Sequence, residues 1–149
     1  MINQNNQKLE TYAFKDNAFD NIWKSIFFIS FGLVLIATLY PFNFVIDQKS
    51  EQQGLELFIL GWGESSLVDV NNNILLFLPL GFTVAGVFSR KRMTRGFITC
   101  LILMVSFVLS YTIETTQIFL PSRSPSLFDV FANCTGSMLG TILFSLIKA

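Results

Sequence analysis

The sequence predicts an all-α polytopic membrane protein, a bundle of four transmembrane helices. Of its 149 residues, 52% are hydrophobic and only 13% are charged, and the apolar residues fall in long blocks. Lipid admits only helices and closed barrels as spanning structures, because every backbone polar group must be satisfied internally. A barrel strand would alternate apolar and polar residues, and these blocks do not alternate. The spanning elements are therefore predicted to be helices.

The chain opens with a polar segment of mixed charge, residues 1–20. It lacks a basic region that leads into a short apolar core, which argues against a cleaved signal peptide. We expect it to be a solvated, poorly ordered segment on the cytoplasmic side. Residues 21–149 are predicted to form one transmembrane domain.

The first span is predicted at residues 22–40, with a single charge, Lys24, near its start and a helix stop at Tyr40 and Pro41. An acidic loop follows. Within this first outer loop, residues 55–62 form an apolar run that is too short to cross a membrane. The run is predicted to be either a short interfacial helix or a re-entrant segment.

Three further uncharged or nearly uncharged runs predict the remaining spans. They cover residues 74–89, residues 96 to about 119, and residues 127–147. In the last of them Ala132, Gly136 and Gly140 recur at intervals of four residues. Small residues at this spacing predict close approach of a neighbouring helix.

Lysine and arginine are distributed unevenly between the two sides of the predicted bundle. One side carries eight of them: Lys8, Lys15, Lys24, Arg90, Lys91, Arg92, Arg95 and Lys148. The other side carries Lys49 and Arg123. The positive-inside rule therefore predicts a multi-pass protein of the cell (cytoplasmic) membrane with both termini in the cytoplasm. The basic run at residues 90–95 is interpreted first as a topology signal and second as a contact for anionic lipid.

Eight polar residues are predicted to converge at the outward end of the bundle. Counting along the helices at about 1.5 Å per residue, across a hydrocarbon core of about 30 Å, places them in one layer. Polar and charged groups at such depth are costly and commonly mark a functional site. The candidate catalytic residues are Glu114, Asp129 and Arg123. The candidate ligand-binding residues are Asp69, Asn73, Gln117, Ser126 and Asn133.

The string D-V-x-x-N occurs twice, at residues 69–73 and 129–133, and each copy opens a predicted helix that runs from outside to inside. One interpretation is a duplicated hairpin of the kind found in some transporters. The other is that aspartate is favoured in the first turn of any helix, where it satisfies free backbone donors.

Several classes of protein are disfavoured by composition. The chain has no histidine, the commonest zinc ligand and general base. Cys100 and Cys134 lie in apolar runs and are predicted to pack as small hydrophobic residues. No metal site and no cofactor are predicted. Formal net charge is zero and basic residues form no extended patch, so no nucleic-acid partner is expected. No pattern points to a particular oligomeric state.

Over residues 40–140 the chain resembles the VanZ-like family of small polytopic membrane proteins. The resemblance rests on YPFNF at residues 40–44, DVNNNILLFLPLGF at 69–82, and IETTQIFLPSRSPSLFDVFANCTGSMLG at 113–140. The last block is the most specific, with an acid, a glutamine, a turn, an arginine and an Asp-x-x-x-Asn helix start in the family's order. The turn departs from the family pattern, because PSRSPS replaces the commoner proline-glycine-arginine version.

The resemblance implies a function in glycopeptide (teicoplanin) resistance or cell-envelope homeostasis. A site at the outer headgroup level suits binding of a membrane lipid, a lipid-linked cell-wall precursor or the lipid tail of a drug. The alternative is a membrane-embedded enzyme acting on a lipid-linked phosphate or amide, assisted by a carboxylate or by a divalent metal. Transport is less favoured, because the middles of the spans carry no ionisable group. In a purely structural protein, the polar residues would only join helices.

Overall fold

The computed structural model describes the backbone of residues 4–46, 65–89, 91 and 93–148, and side chains from residue 17 onward. These described residues form four α-helices: α1 (Gln4–Leu39), α2 (Leu67–Phe88), α3 (Arg95–Gln117) and α4 (Leu127–Lys148). The described residues contain no β-strand. The predicted all-α, four-helix architecture is confirmed, whereas the run at residues 55–62 lies outside the described residues.

Each helix contains a segment long and apolar enough to cross a membrane. In α1 this segment is Asn17–Leu39, and in α2, α3 and α4 it is the whole helix, 22 or 23 residues in each case. At about 1.5 Å per residue, such lengths match a hydrocarbon core of about 30 Å. The outer faces carry large exposed apolar side chains, such as Ile29, Leu146 and Val108. The protein is therefore a multi-pass integral membrane protein.

The first helix begins much earlier than the sequence predicted. We expected a poorly ordered segment up to residue 20, but α1 already begins at Gln4. Residues 4–21 contain no proline or glycine, so nothing in the backbone interrupts the helix ahead of its apolar part. Its predicted end is confirmed, since α1 stops at Leu39, just before Tyr40 and Pro41.

The second helix also begins earlier, at Leu67 rather than at residue 74, because a capping box sets its first turn. The Ser66 hydroxyl accepts a hydrogen bond from the Asp69 backbone N–H at 3.1 Å, and Asp69 Oδ2 accepts one from the Ser66 backbone N–H at 3.3 Å. This reciprocal pair satisfies two otherwise free donors. Asp69 and Asn73 are thereby placed on an ordered helix.

The third helix ends at Gln117, slightly before the predicted residue 119. The fourth begins at Leu127 as predicted. Cys134 is half-buried, but Cys100 is exposed on α3, so the prediction that both cysteines pack is wrong for Cys100. The Cys100 side chain is therefore exposed to the same surroundings as the apolar side chains on the outer face of the bundle.

Helices α2 and α4 form the centre of the bundle and run parallel. Their starts are joined by the hydrogen bond from Ser65 Oγ to Asp129, and their ends by the one from Lys148 Nζ to the Ser89 carbonyl. The end of the bundle at which α2 and α4 begin and α1 and α3 finish is called the polar end. The opposite end is called the basic end. Of all helix pairs, α2 and α4 share the most extensive contact.

Glycines allow this close contact. A Cβ at Gly136 would collide with the backbone of Ile74, and one at Gly140 with the backbone of Leu78. Gly81 on α2 similarly faces the Ser137 backbone. The predicted packing role of Gly136 and Gly140 is confirmed, because a side chain at either position would force the two helices apart.

The other two helices pack against this pair, α1 mainly against α2 and α3 mainly against α4, and they also contact each other. Val34, Phe77, Leu80 and Ile113 form the main apolar core where the helices meet. Because α3 has few contacts with α1 and α2, space remains among these three helices. A polar cavity and an apolar cleft both extend into that space.

Candidate functional site at the polar end of the bundle

A cavity of about 830 Å³ opens at the polar end. Six of the eight candidate residues line it: Asp69, Asn73, Glu114, Gln117, Arg123 and Asp129. Its other lining residues were not among the candidates and are Ala37, Thr38, Asn72, Leu75, Leu76, Ser122 and Ser124. Ser126 and Asn133 are not lining residues and lie behind this wall. All four helices and the α3–α4 turn thus contribute to one concave surface of the size of a small-molecule site.

Glu114 lies on the inner face of α3 and is only 2% exposed. Its Oε2 accepts a hydrogen bond from the backbone N–H of Ser126 at 2.8 Å. Ser126 stands immediately before α4, where backbone N–H groups lack intrahelical acceptors and the helix dipole favours negative charge. The carboxylate therefore holds the end of α3 to the start of α4 while it borders the cavity.

Asp129 ties α4 to α2 rather than capping its own helix. Its Oδ1 accepts a hydrogen bond from the Ser65 hydroxyl at 2.7 Å, and the Asn73 side chain is a second hydrogen-bonding partner. Asp69, the equivalent residue of the other D-V-x-x-N string, instead caps α2. The two strings therefore share their place at the start of a helix but not the bonds of their aspartates.

Arg123 was expected to meet the two acids, and the structure places it differently. It lines the same cavity and lies within electrostatic range of Glu114. Its Nη2, however, donates to the carbonyl oxygen of Ala37 at 2.8 Å, and among the described residues its side chain has no other hydrogen bond and no ion pair. The acceptor belongs to the last turn of α1, where carbonyls lack intrahelical donors.

Gln117, at the end of α3, binds the next backbone carbonyl of α1. Its Nε2 donates to the carbonyl of Thr38 at 3.0 Å. With Arg123, it satisfies two adjacent carbonyls at the end of α1, so the first helix is attached to α3 and to the following turn. Sequence patterns do not reveal such bonds, because the acceptors are backbone atoms.

Asn133 lies deeper in the bundle and is 1% exposed. Its Nδ2 donates to the hydroxyl of Ser110 at 2.8 Å, and its Oδ1 has no hydrogen-bond partner among the described residues. Ser110 precedes Glu114 by one helical turn, so α3 presents both on the face toward α4. That four-residue spacing was the signal that would have identified Ser110 from the sequence.

The comparison with protein families agrees with the architecture. The family model described as VanZ/LLP1 matches residues 2–148. The chain belongs to the VanZ/LLP1 family. The match extends well beyond residues 40–140, over which the motifs were recognised, and includes the whole of α1. Searches of curated proteins and of solved structures found no match to this chain.

In this member of the VanZ/LLP1 family, the cavity has an excess of acidic groups. Asp69, Glu114 and Asp129 face one guanidinium, that of Arg123. Among the described residues, no group of three or more metal-ligating side chains is placed to hold an ion. The lining amides, hydroxyls and carboxylates supply mainly hydrogen-bond acceptors, which suits a ligand rich in hydroxyl, amide or ammonium donors.

Proposed function

We propose that this VanZ/LLP1 protein binds an amphiphile, with the polar part in the cavity and an acyl or prenyl chain between the helices. The classes that fit are a membrane lipid, a lipid-linked cell-wall precursor, and the lipid tail of a glycopeptide such as teicoplanin. A function in glycopeptide resistance or in maintaining the cell envelope would follow from sequestering or presenting such a molecule.

The observation that carries this proposal is a second, apolar cleft among α1, α2 and α3, three of the four helices that border the polar cavity. It has a volume of about 400 Å³ and is lined almost entirely by apolar side chains of α1, α2 and α3. Leu76 lines the polar cavity, and Leu80, one turn deeper on α2, lines the cleft. On α3, Gln117 lines the polar cavity and Thr112, five residues deeper, lines the cleft. A polar compartment thus lies above an apolar one, as an amphiphile requires.

The proposed orientation puts the polar cavity in the outer leaflet. Eight of the ten basic residues belong to segments at the opposite end, which the positive-inside rule assigns to the cytoplasm. Lipid-linked precursors and lipid-tailed drugs present their polar parts at the outer surface, so this orientation brings ligand and cavity to the same level.

The test is native mass spectrometry of the full-length protein released from membranes in mild detergent. The wild type is expected to retain a lipid or polyprenyl-linked species. Val105→Trp, which fills the cleft, should abolish retention, whereas Ile142→Trp on the outer face of α4 should not. The two positions make a matched pair, since their exposures are 50% and 46% and only Val105 lines the cleft.

A second pair tests the polar compartment. Asp129→Asn keeps an oxygen that accepts from Ser65 but removes the charge, so retention should weaken. Asp20→Asn removes an exposed charge of α1 that does not line the cavity and should have no effect. Equal retention by all four variants and the wild type would refute the proposal. Recovery of a cleaved ligand would instead favour the enzyme.

A further inference from the structure

We propose a second site, at the basic end of the bundle, that binds the phosphate of an anionic membrane lipid. A pocket of about 290 Å³ lies there among α2, α3, α4 and the α2–α3 connection. It is separate from the polar cavity and shares no lining residue with it. Its volume is at the lower limit of small-molecule pockets, which suits a headgroup rather than a whole ligand.

Three cations converge on this pocket. Lys91, Arg95 and Lys148 all line it, and no carboxylate is among its described lining residues. Like charges brought together at a membrane boundary repel each other unless an anion lies between them. The hydroxyls of Thr99 and Ser145 also line the pocket but already donate to helix carbonyls, so the three cations supply the donors for an anion.

Existing contacts hold two of the cations in position. Lys148 Nζ donates to the Ser89 carbonyl at 2.9 Å, one of the unsatisfied carbonyls at the end of α2. Lys91 Nζ lies 4.9 Å from the centroid of the Phe88 ring. Neither contact neutralises the positive charge, so both ammonium groups keep an unbalanced charge beside the pocket.

Arg95 is the cation best placed to take a phosphate. Among the described residues its side chain makes no hydrogen bond and no ion pair, although a guanidinium offers five donors in a fork that fits two phosphate oxygens. It is also the first residue of α3, where the helix dipole adds to the positive potential. An anionic headgroup would bridge Arg95 to Lys148 across the pocket.

The source of the phosphate is assigned to lipid by position. The pocket lies at the end of membrane-spanning helices, at the level of headgroups, and basic residues just beyond a span attract anionic lipids. A soluble phosphate compound would use the same donors. The two sources are therefore compared directly in the experiment.

The full-length protein in detergent is heated with dioctanoyl-phosphatidylglycerol, with dioctanoyl-phosphatidylcholine, or with glycerol 1-phosphate. Phosphatidylglycerol is expected to raise the melting temperature far more than phosphatidylcholine, which has the same chains but no net charge. Arg95→Gln should raise the half-saturating concentration of phosphatidylglycerol about tenfold, equivalent to about 1.4 kcal/mol of binding free energy.

Lys24→Gln is the matched control. It removes an exposed positive charge of α1 towards the basic end of the bundle, and Lys24 does not line the pocket. It should leave the half-saturating concentration unchanged. Lys91→Gln provides a second pocket variant if Arg95→Gln does not fold. Stabilisation by glycerol 1-phosphate equal to that by the lipid would assign the same pocket to a soluble phosphate. Equal stabilisation by both lipids, or an equal effect of Lys24→Gln and Arg95→Gln, would overturn the proposal.

Discussion

Glu114 both links two helices and contributes a carboxylate to the cavity wall. It is buried against the start of α4, where Ser126 N–H donates to it, and it also borders the polar cavity. A carboxylate in lipid is costly unless its oxygens find donors. The backbone N–H of Ser126 supplies one such donor, so the carboxylate is tolerated and remains at the cavity wall.

Substitutions can separate the hydrogen bond of Glu114 from its charge at the cavity wall. Glu114→Gln keeps an oxygen acceptor for the Ser126 N–H, so the free energy of unfolding should change by less than about 1 kcal/mol. Glu114→Leu leaves that buried donor unsatisfied and should destabilise by about 1–3 kcal/mol. Thermal unfolding in detergent measures both, and lipid retention or teicoplanin susceptibility of cells measures function.

If the charge of Glu114 serves ligand binding, Glu114→Gln should be folded, stable and inactive. A glutamine variant that loses stability as severely as the leucine variant would show that the residue acts only as an interhelical bond.

The position of the cavity depends on the parallel contact of α2 with α4. Asp69 and Asn73 of α2 face Asp129 of α4 only because these helices begin at the same end and approach closely. The glycines that permit this approach lie deeper, towards the middle of the spans. Packing in the middle of the bundle therefore sets the position of the cavity at its end.

Gly140→Ala tests this dependence. The added Cβ would collide with the Leu78 carbonyl and approach the Phe82 nitrogen to 2.7 Å, both backbone atoms of α2 that cannot rotate away. Overpacking of this kind should destabilise the protein by about 1–3 kcal/mol. Thermal unfolding should show the loss, and ligand retention should fall with it as the helices separate.

Gly32→Ala is the control, because nothing lies within 4 Å of a Cβ at this position of α1. It should be neutral or stabilise by up to about 1 kcal/mol through helix propensity. Equal melting temperatures for Gly140→Ala and Gly32→Ala would mean that α2 and α4 do not touch at Gly140.

The whole molecule has opposite character at its two ends. Three of the described acids line the cavity at the polar end, and three cations line the pocket at the basic end. The proposed orientation follows from this difference, since cytoplasmic segments favour lysine and arginine. The same charge asymmetry gives the two ends cavities of different chemistry.

The proposed orientation is tested by reporter fusions. Alkaline phosphatase is active only outside the cytoplasm, so a fusion after Gln53, in the acidic loop, should be active and one after Lys148 inactive. A green fluorescent protein fusion after Lys148 should fluoresce and confirms expression of that chain. The reverse pattern would place the polar cavity in the inner leaflet and remove the basis for an outer ligand.

The number of spans, their approximate limits and the end at which polar residues gather can all be predicted from the sequence alone. Each span is stabilised by lipid along its own length, so its apolar run predicts it without knowledge of its neighbours. The small residues at Gly136 and Gly140 likewise predicted a close helix contact. The start of α1 was misjudged because polarity indicates contact with water and does not by itself end a helix.

The pairing of the polar atoms, in contrast, depends on how the helices pack. Arg123 donates to the carbonyl of Ala37 rather than to a carboxylate, Gln117 takes the next carbonyl, and Asp129 bonds to Ser65 on a distant segment. Hydrogen bonds act over about 3 Å, so partners depend on the rotation and depth of each helix relative to the others. Those quantities arise from packing among segments far apart in the chain, and no local pattern of residues encodes them.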